Sequence, residues 1–152
     1  MTLDQVISEI FSFLSLQPQA HYKLVIGSDS HERVINDEKV SNFVTAIVIH
    51  CVGTGGRYYW KNGTKRKTHS LRDKVYQETT LSLDLATELR PLLTQRQTQI
   101  DNLELEIHID VGNNGPTIDM INEVVGMVTG YGFTAKTKPS SYGASTIADK
   151  YT

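Results

Sequence analysis

Three β-prone segments follow one another before the first long stretch with helical periodicity, and this order constrains the fold more than any other feature. The segments span residues 22–28, 40–52 and 57–61, and the second is rich in Val and Ile without helical spacing. The GTGG sequence at residues 53–56 predicts the turn between the second and third segments, and residues 30–39 are expected to form a polar loop. We therefore predict a three-stranded antiparallel meander.

Helices and two more strands surround this meander. Apolar residues recur at helical spacing before it and twice after it, and a strictly alternating run follows the longest helix. In chain order, the predicted elements are a helix over 2–16, a helix over 70–93 in which Pro91 marks the end of regular backbone pairing, a strand over 103–109, a helix over 118–128, a strand over 133–138 and a short helix over 144–151. With 152 residues, of which 39% are hydrophobic, we expect a single mixed α/β domain over residues 1–152.

Acidic residues lie where these elements should meet. Asp29 follows the first β-prone segment and Asp110 follows the alternating strand, so both carboxylates are expected at one edge of the sheet if the strands are neighbours. Glu78 lies on the longest helix, and Asp149 lies in the terminal helix. Like charges that converge are costly unless a cation neutralises them or a carboxyl is protonated. The pattern predicts a divalent-metal site, because carboxylate oxygens are suitable ligands.

The longest predicted helix offers more than one acid for this site. Glu78 lies three residues after Val75, close to the apolar stripe, whereas Asp84 and Glu88 follow later on the same helix. Glu88 also borders the stripe, but it lies towards the C-terminal end, where the helix dipole disfavours a carboxylate. We predict that Glu78 joins the site and keep Glu88 as the alternative.

Basic residues are concentrated between residues 57 and 74, although the whole chain has a net charge of −2. Tyr58, Tyr59 and Trp60 lie among them. Cations for phosphates and rings for bases are typical of a nucleic-acid-binding surface, but charged, solvated edge strands have a similar composition. The predicted nucleic-acid contacts are Lys61, Lys65, Arg66, Lys67 and Arg72 from this stripe and Asn113, Ser141 and Tyr142 from later loops.

Other features of the sequence limit the cellular location and the cofactors that we expect for this protein. Its single cysteine, Cys51, excludes an intrachain disulfide and a cysteine-based zinc site. No segment approaches the roughly 18 apolar residues of a membrane span, and the N-terminus lacks the pattern of a secretory signal. No GxxxxGK[ST] string and no strand-linked GxGxxG supports a nucleotide cofactor. We expect a soluble cytoplasmic protein with no membrane partner.

The order of elements and the strings IGSDSH, HIDVG and SYGASTIADKYT resemble the YkuK-like branch of the ribonuclease H-like superfamily. The resemblance implies a five-stranded mixed sheet flanked by helices, with adjacent first and fourth strands and an extra N-terminal helix. It also implies that Asp29 bridges two cations, and that Asp110, Glu78 and Asp149 complete their ligands. Two Mg²⁺ or Mn²⁺ ions held in this way would serve hydrolysis of phosphodiester bonds in RNA, DNA or a hybrid.

Two other functions fit parts of the sequence. Asp29, Ser30 and His31 resemble the DxH string with which many metallophosphoesterases begin a binuclear site, but the GDxxD string and histidines after His108 are missing. A non-catalytic nucleic-acid-binding or assembly module would keep the same fold without turnover. A catalyst needs all four carboxylates within reach of one cation pair, whereas a binding module needs only the basic stripe.

Overall fold

The computed structural model describes residues 2–17, 19–53, 55–96, 103–111 and 118–137, with residues 55–61, Arg96 and Leu103 described by their backbone alone. In chain order, its elements are α1 (Leu3–Leu16), β1 (Tyr22–Ile35), β2 (Glu38–Cys51), β3 (Gly55–Lys67), α2 (Leu71–Arg96), β4 (Leu103–His108), α3 (Ile121–Gly130, preceded by a 3₁₀ turn at Ile118–Met120) and β5 (Thr134–Lys136). None of the described helices combines the length and apolar character that crossing a membrane requires. The terminal helix predicted over 144–151 lies outside the described residues.

The five strands form one mixed sheet in the order β3-β2-β1-β4-β5. β1 pairs antiparallel with β2, and β2 pairs antiparallel with β3, which confirms the predicted meander. β4 pairs in parallel with both β1 and β5. The adjacency of β1 and β4 is the arrangement that the ribonuclease H-like resemblance implied, and the predicted fold class is confirmed.

The first hairpin is longer than the sequence pattern predicted. β1 continues to Ile35 and β2 begins at Glu38, so residues 30–39 belong mainly to two paired strands and the predicted loop was wrong. Asn36 and Asp37 alone form the turn, with φ of 53° and 62°, and such short polar side chains tolerate this left-handed backbone. The side chains of β1 beyond Ser30 are exposed, and a strand exposed on both faces carries no burial pattern in its sequence.

The helices also differ from the prediction at one point. α2 continues through Pro91 to Arg96, so the predicted helix end was wrong. Proline removes a backbone hydrogen bond, but Leu89 and Leu93 on either side are buried, and their packing holds the helix on the sheet. α1 begins with a capping box, in which the Gln5 N–H donates to Thr2 Oγ1 at 3.2 Å and the Thr2 N–H donates to Gln5 Oε1 at 2.7 Å.

The main hydrophobic core lies between one face of the sheet and the three helices. Tyr22, Leu24 and Ile26 of β1 point into it at alternate positions. The helices contribute Val6, Ile7, Ile10 and Leu14 from α1, Val75, Leu83, Ala86, Leu89 and Leu93 from α2, and Val124 and Val128 from α3. The opposite face holds a separate buried pair, Val25 and Val48. β1 is therefore buried on both faces in its first half, and the functional residues follow directly after this half.

Candidate metal centre

Three carboxylates meet where β1 extends past the end of β4. His108, the last residue of β4, pairs with Gly27, so Asp110 follows His108 by the same two residues by which Asp29 follows Gly27. Carboxylate oxygens of Asp29, Glu78 and Asp110 all lie within 4.8 Å of one another. Asp29 and Glu78 are buried, and Asp110 is half-buried. We call these three residues the acidic cluster; the structure brings Asp29 and Asp110 together and adds Glu78 from α2.

Hydroxyl groups of β1 position the α2 side of the acidic cluster. Ser30 Oγ donates to Glu78 Oε2 at 3.3 Å, and Ser28 Oγ lies 2.8 Å from Ser82 Oγ, one turn further along α2. Both contacts are buried. Because side chains alternate along a strand, Ser28 and Ser30 face α2, while Asp29 projects from the other face of the sheet. The acids therefore reach the cluster from both sides of β1.

Burial has a large effect on the ionisation of Glu78. It raises the pKa of this carboxyl group from 4.5 to about 8. The nearby charge of Lys74 lowers the pKa, the charges of Asp29 and Asp110 raise it, and the hydrogen bond from Ser30 lowers it. Glu78 therefore holds a proton at neutral pH when no cation is present. A divalent cation among the three carboxylates would favour the ionised form instead.

The donor set of the acidic cluster suits a hard divalent cation. Its three members offer only oxygen ligands, which Mg²⁺ and Mn²⁺ prefer over nitrogen or sulfur. His31, two residues along β1 from Asp29, is not a member, so the DxH interpretation gains no support. Asp84 and Glu88 are exposed on α2, which leaves Glu78 as the acid of this helix in the cluster.

Two of the basic residues predicted to bind nucleic acid form ion pairs within the protein. Lys67 Nζ lies 3.2 Å from the carboxylate of Glu38 on the neighbouring strand. Arg72 Nη2 donates to the two carboxylate oxygens of Glu123 at 2.7 and 2.5 Å, which links α2 to α3. These charges are at least partly neutralised before any partner binds.

The other predicted contacts have different surroundings. Lys65 and Arg66 are both exposed, but as consecutive residues of β3 they lie on opposite faces of the sheet. Only one of them can share a face with Asp29. The side chain of Lys61 and all of Asn113, Ser141, Tyr142 and Asp149 lie outside the described residues.

Two features near the acidic cluster were not predicted from the sequence. One is the hydrogen bond from Ser30 to Glu78. The other is a polar group on β4 and β1, in which the buried Glu106 lies 3.1 Å from Nε2 of the buried His108 and 3.5 Å from Nζ of the half-buried Lys23. Burial lowers the pKa of His108 although the Glu106 carboxylate raises it. The alternation of apolar and polar residues in β4 showed that Glu106 and His108 share a face. Polar residues do not indicate burial, so the sequence did not predict that this face is buried.

Comparison with solved structures gives weak matches. The NurA nuclease from Sulfolobus solfataricus matches with 12% identity and a TM-score of 0.38, over 80% of this chain and 44% of the nuclease chain. The prototype foamy virus protease–reverse transcriptase matches with 11% identity and a TM-score of 0.37, over 88% of this chain and 20% of the viral chain. The chain thus spans less than half of either matched chain, and scores this low carry no argument about function.

Sequence comparison is more informative. A family model described as ribonuclease H-like matches residues 5–152. The Bacillus subtilis (strain 168) protein described as uncharacterized protein YkuK is 35% identical over 161 aligned positions, which cover 100% of this chain and 91% of the relative. Both matches extend over nearly the whole chain, including β1, α2 and β4, which carry the acidic cluster. The chain therefore belongs to the ribonuclease H-like family and, within it, to the YkuK-like proteins.

Proposed function

We propose that this protein is a divalent-metal-dependent nuclease that hydrolyses phosphodiester bonds in nucleic acid. The observation that carries the proposal is the acidic cluster, whose oxygens lie within 4.8 Å of one another although two of the three residues are buried. Buried like charges do not stabilise a fold, so their convergence calls for a positive ligand or for protonation of one of the carboxyl groups. Membership of the ribonuclease H-like family supports the same function.

In this proposal each acid has a defined part. Asp29 would be the central ligand, Asp110 would bind the cation beside it, and Glu78 would bind from α2 while Ser30 holds its carboxylate in place. Asp149 is proposed as the fourth ligand. Bound Mg²⁺ or Mn²⁺ would supply a water nucleophile of lowered pKa and neutralise charge on the phosphate oxygens. The protein's own contribution is to hold the carboxylates in the positions where they would bind the cations.

Cleavage of labelled nucleic acid tests the proposal. Hybrid, duplex, branched and single-stranded substrates are incubated with the protein and Mg²⁺, Mn²⁺ or EDTA, and products are resolved by length. We expect cleavage of at least one substrate with a divalent ion and none with EDTA. Asp29→Asn and Asp110→Asn should each lower the rate about 100-fold or more.

The matched control is Asp84→Asn, which removes an exposed carboxylate from the same helix as Glu78 and should keep the wild-type rate. If cleavage survives Asp29→Asn in a preparation free of contaminating nuclease, the proposed roles of these acids are wrong. Loss of activity in Asp149→Asn with a folded protein would support the fourth ligand.

A second function, nucleic-acid binding without cleavage, is favoured by one observation. Because its pKa is about 8, Glu78 can carry a proton at neutral pH. This proton removes the negative charge of one of the three carboxyl groups in the acidic cluster, and no cation is then required. A binding module of this kind would bind the labelled substrates equally well with EDTA and with Mn²⁺. It would also leave every substrate intact in the cleavage experiment.

A further inference from the structure

Beyond Asp29, the distal parts of β1, β2 and β3 present polar and basic side chains on the face from which Asp29 projects. Along β1, His31 and Arg33 follow Asp29 at two-residue intervals and therefore share its face. The strand register places Asn42 opposite His31, and Lys65 opposite Asn42. Residues paired in this way project from the same face of the sheet, so all five side chains form one continuous surface.

Three of these residues line a groove. Arg33, Asn42 and Lys65 surround an open cavity of about 70 Å³, and Ile35 and Val40 complete its lining. Arg33 and Lys65 are exposed, and Asn42 is half-buried. A guanidinium, an ammonium and an amide around one small concavity offer hydrogen-bond donors in the arrangement that phosphate oxygens accept.

The basic residues of this groove differ from the neighbouring Lys67 in that they form no ion pair with a described carboxylate. Lys67 lies on the same face but is paired with Glu38 at 3.2 Å. Within the described parts of the chain, no carboxylate forms an ion pair with Arg33 or Lys65. These two cations therefore keep their charge for an external anion.

We propose that the groove formed by Arg33, Asn42 and Lys65 binds one backbone phosphate of a nucleic-acid strand that continues from the acidic cluster towards the β1–β2 turn. The inference rests on the proposed function, which places the scissile phosphate at Asp29. Arg33 lies four residues further along β1, about 13 Å at 3.3 Å per residue, so the bound phosphate belongs to a nucleotide a few positions away.

Salt dependence of binding tests the groove. The probe is a fluorescein-labelled single-stranded oligonucleotide, and anisotropy is measured over a range of NaCl concentrations in an Asp29→Asn background, which prevents cleavage. Arg33→Gln and Lys65→Gln should each weaken binding, and each should reduce the slope of log affinity against log salt by about 0.7, the value for one lost phosphate contact on a single strand.

Lys39→Gln is the matched control, because it removes one exposed positive charge from β2 on the opposite face of the sheet. It should change the slope by less than half as much. Slopes for Arg33→Gln and Lys65→Gln equal to that of the parent protein would overturn the proposal. A labelled polyglutamate peptide that binds more tightly than the oligonucleotide, and loses affinity with the same substitutions, would assign the groove to an acidic protein and also overturn it.

The outcome separates this inference from the proposed function. If protein with Asp29 intact cleaves nucleic acid while both groove variants bind like their parent, only the groove assignment fails. If no substrate is cleaved but both groove variants lose affinity and slope as expected, the phosphate site stands and the nuclease activity fails.

Discussion

Glu78 is the residue whose state depends most directly on what the acidic cluster binds. It is 6% exposed, and its pKa of about 8 means that it carries a proton at neutral pH in the absence of a cation. In the unfolded chain the same group ionises near 4.5. Between these pH values Glu78 holds its proton in the folded protein but not in the unfolded chain, so its contribution to the free energy of unfolding falls as pH rises.

We predict that Glu78→Gln removes this loss of stability in metal-free protein. Glutamine keeps an acceptor for the Ser30 hydroxyl but has no charge to bury, so at pH 8 the variant should be more stable than wild type by about 4 kcal/mol. Urea denaturation in EDTA between pH 4.5 and 8 measures the effect. Comparison of the two proteins removes the contribution of His108, whose pKa is lowered by burial and which acts in the opposite direction.

Glu88→Gln is the control for this experiment, because Glu88 is an exposed glutamate on the same helix. Its curve of stability against pH should follow that of wild type. If Glu88→Gln and Glu78→Gln shift the curve equally, the burial of Glu78 is not the cause.

Single residues of the site were predictable to different degrees. Asp29 and Asp110 could be identified because each follows an apolar run that predicts a buried strand. Glu78 could be identified because it adjoins the apolar stripe of the long helix. Ser30 could not be identified, because its contact with Glu78 joins residues 48 positions apart and depends on how α2 lies across β1. The sequence thus showed the acids but not the hydroxyl that positions one of them.

At the scale of elements, the β1–β2 hairpin depends on two residues in a left-handed conformation. Asn36 and Asp37 have φ of 53° and 62°, a conformation that Asn-Gly adopts most readily in two-residue turns. We predict that Asp37→Gly stabilises the protein by about 0.5 kcal/mol, and that Asp37→Val destabilises it by about 1–2 kcal/mol. Urea denaturation at fixed pH measures both changes.

Lys39→Val provides the comparison, since Lys39 is an exposed residue in the extended backbone of β2. It should alter stability by less than about 0.5 kcal/mol. If Asp37→Val is as mild as Lys39→Val, the turn does not impose the strain that its backbone angles indicate.

A second prediction at this scale concerns the long helix α2. Pro91 lies inside α2 and has no N–H to donate to the preceding turn, so Pro91→Ala should restore a backbone hydrogen bond. We expect the free energy of unfolding to rise by about 1–2 kcal/mol, measured by urea denaturation. A loss of stability would show that Pro91 supports a bend on which the packing of Leu89 and Leu93 depends.

The order of the elements was predictable, whereas some of their ends were not. In a buried element, the spacing of apolar residues shows the element type and the side that packs against the core. The meander, α2 and β4 could therefore be identified in the sequence. The distal half of β1 is held by pairing with β2 and is exposed on both faces, so its residues resemble a loop. The extension past Pro91 is likewise set by buried leucines, whose contribution outweighs a local signal for a helix end.

At the scale of the whole molecule, a cation site at the junction of β1, α2 and β4 couples metal binding to folding. The three carboxylates come together only when β1, α2 and β4 are in place, so the unfolded chain lacks the site. A ligand that binds the folded state alone stabilises it by an amount that grows with ligand concentration. The effect on stability can therefore be measured without any assay of cleavage.

We predict that Mn²⁺ or Mg²⁺ raises the Tm of the wild-type protein at pH 8. At 100 times its Kd, a single bound ion should add about 2.7 kcal/mol and raise the Tm by roughly 5–10 °C. Thermal denaturation followed by circular dichroism measures the shift, with NaCl at equal ionic strength as the reference. Asp110→Asn should lose at least half of the shift, because it removes one of three carboxylates from the cluster.

Asp84→Asn separates this site-specific effect from general screening of negative charge, since it removes an exposed carboxylate of α2 outside the acidic cluster. Its Tm should rise with Mn²⁺ as much as that of wild type. An equal shift in Asp110→Asn and in wild type would mean that the ion binds elsewhere, because a site made of these carboxylates cannot lose a ligand without losing affinity. The measured Tm values would then provide no support for metal binding at the acidic cluster.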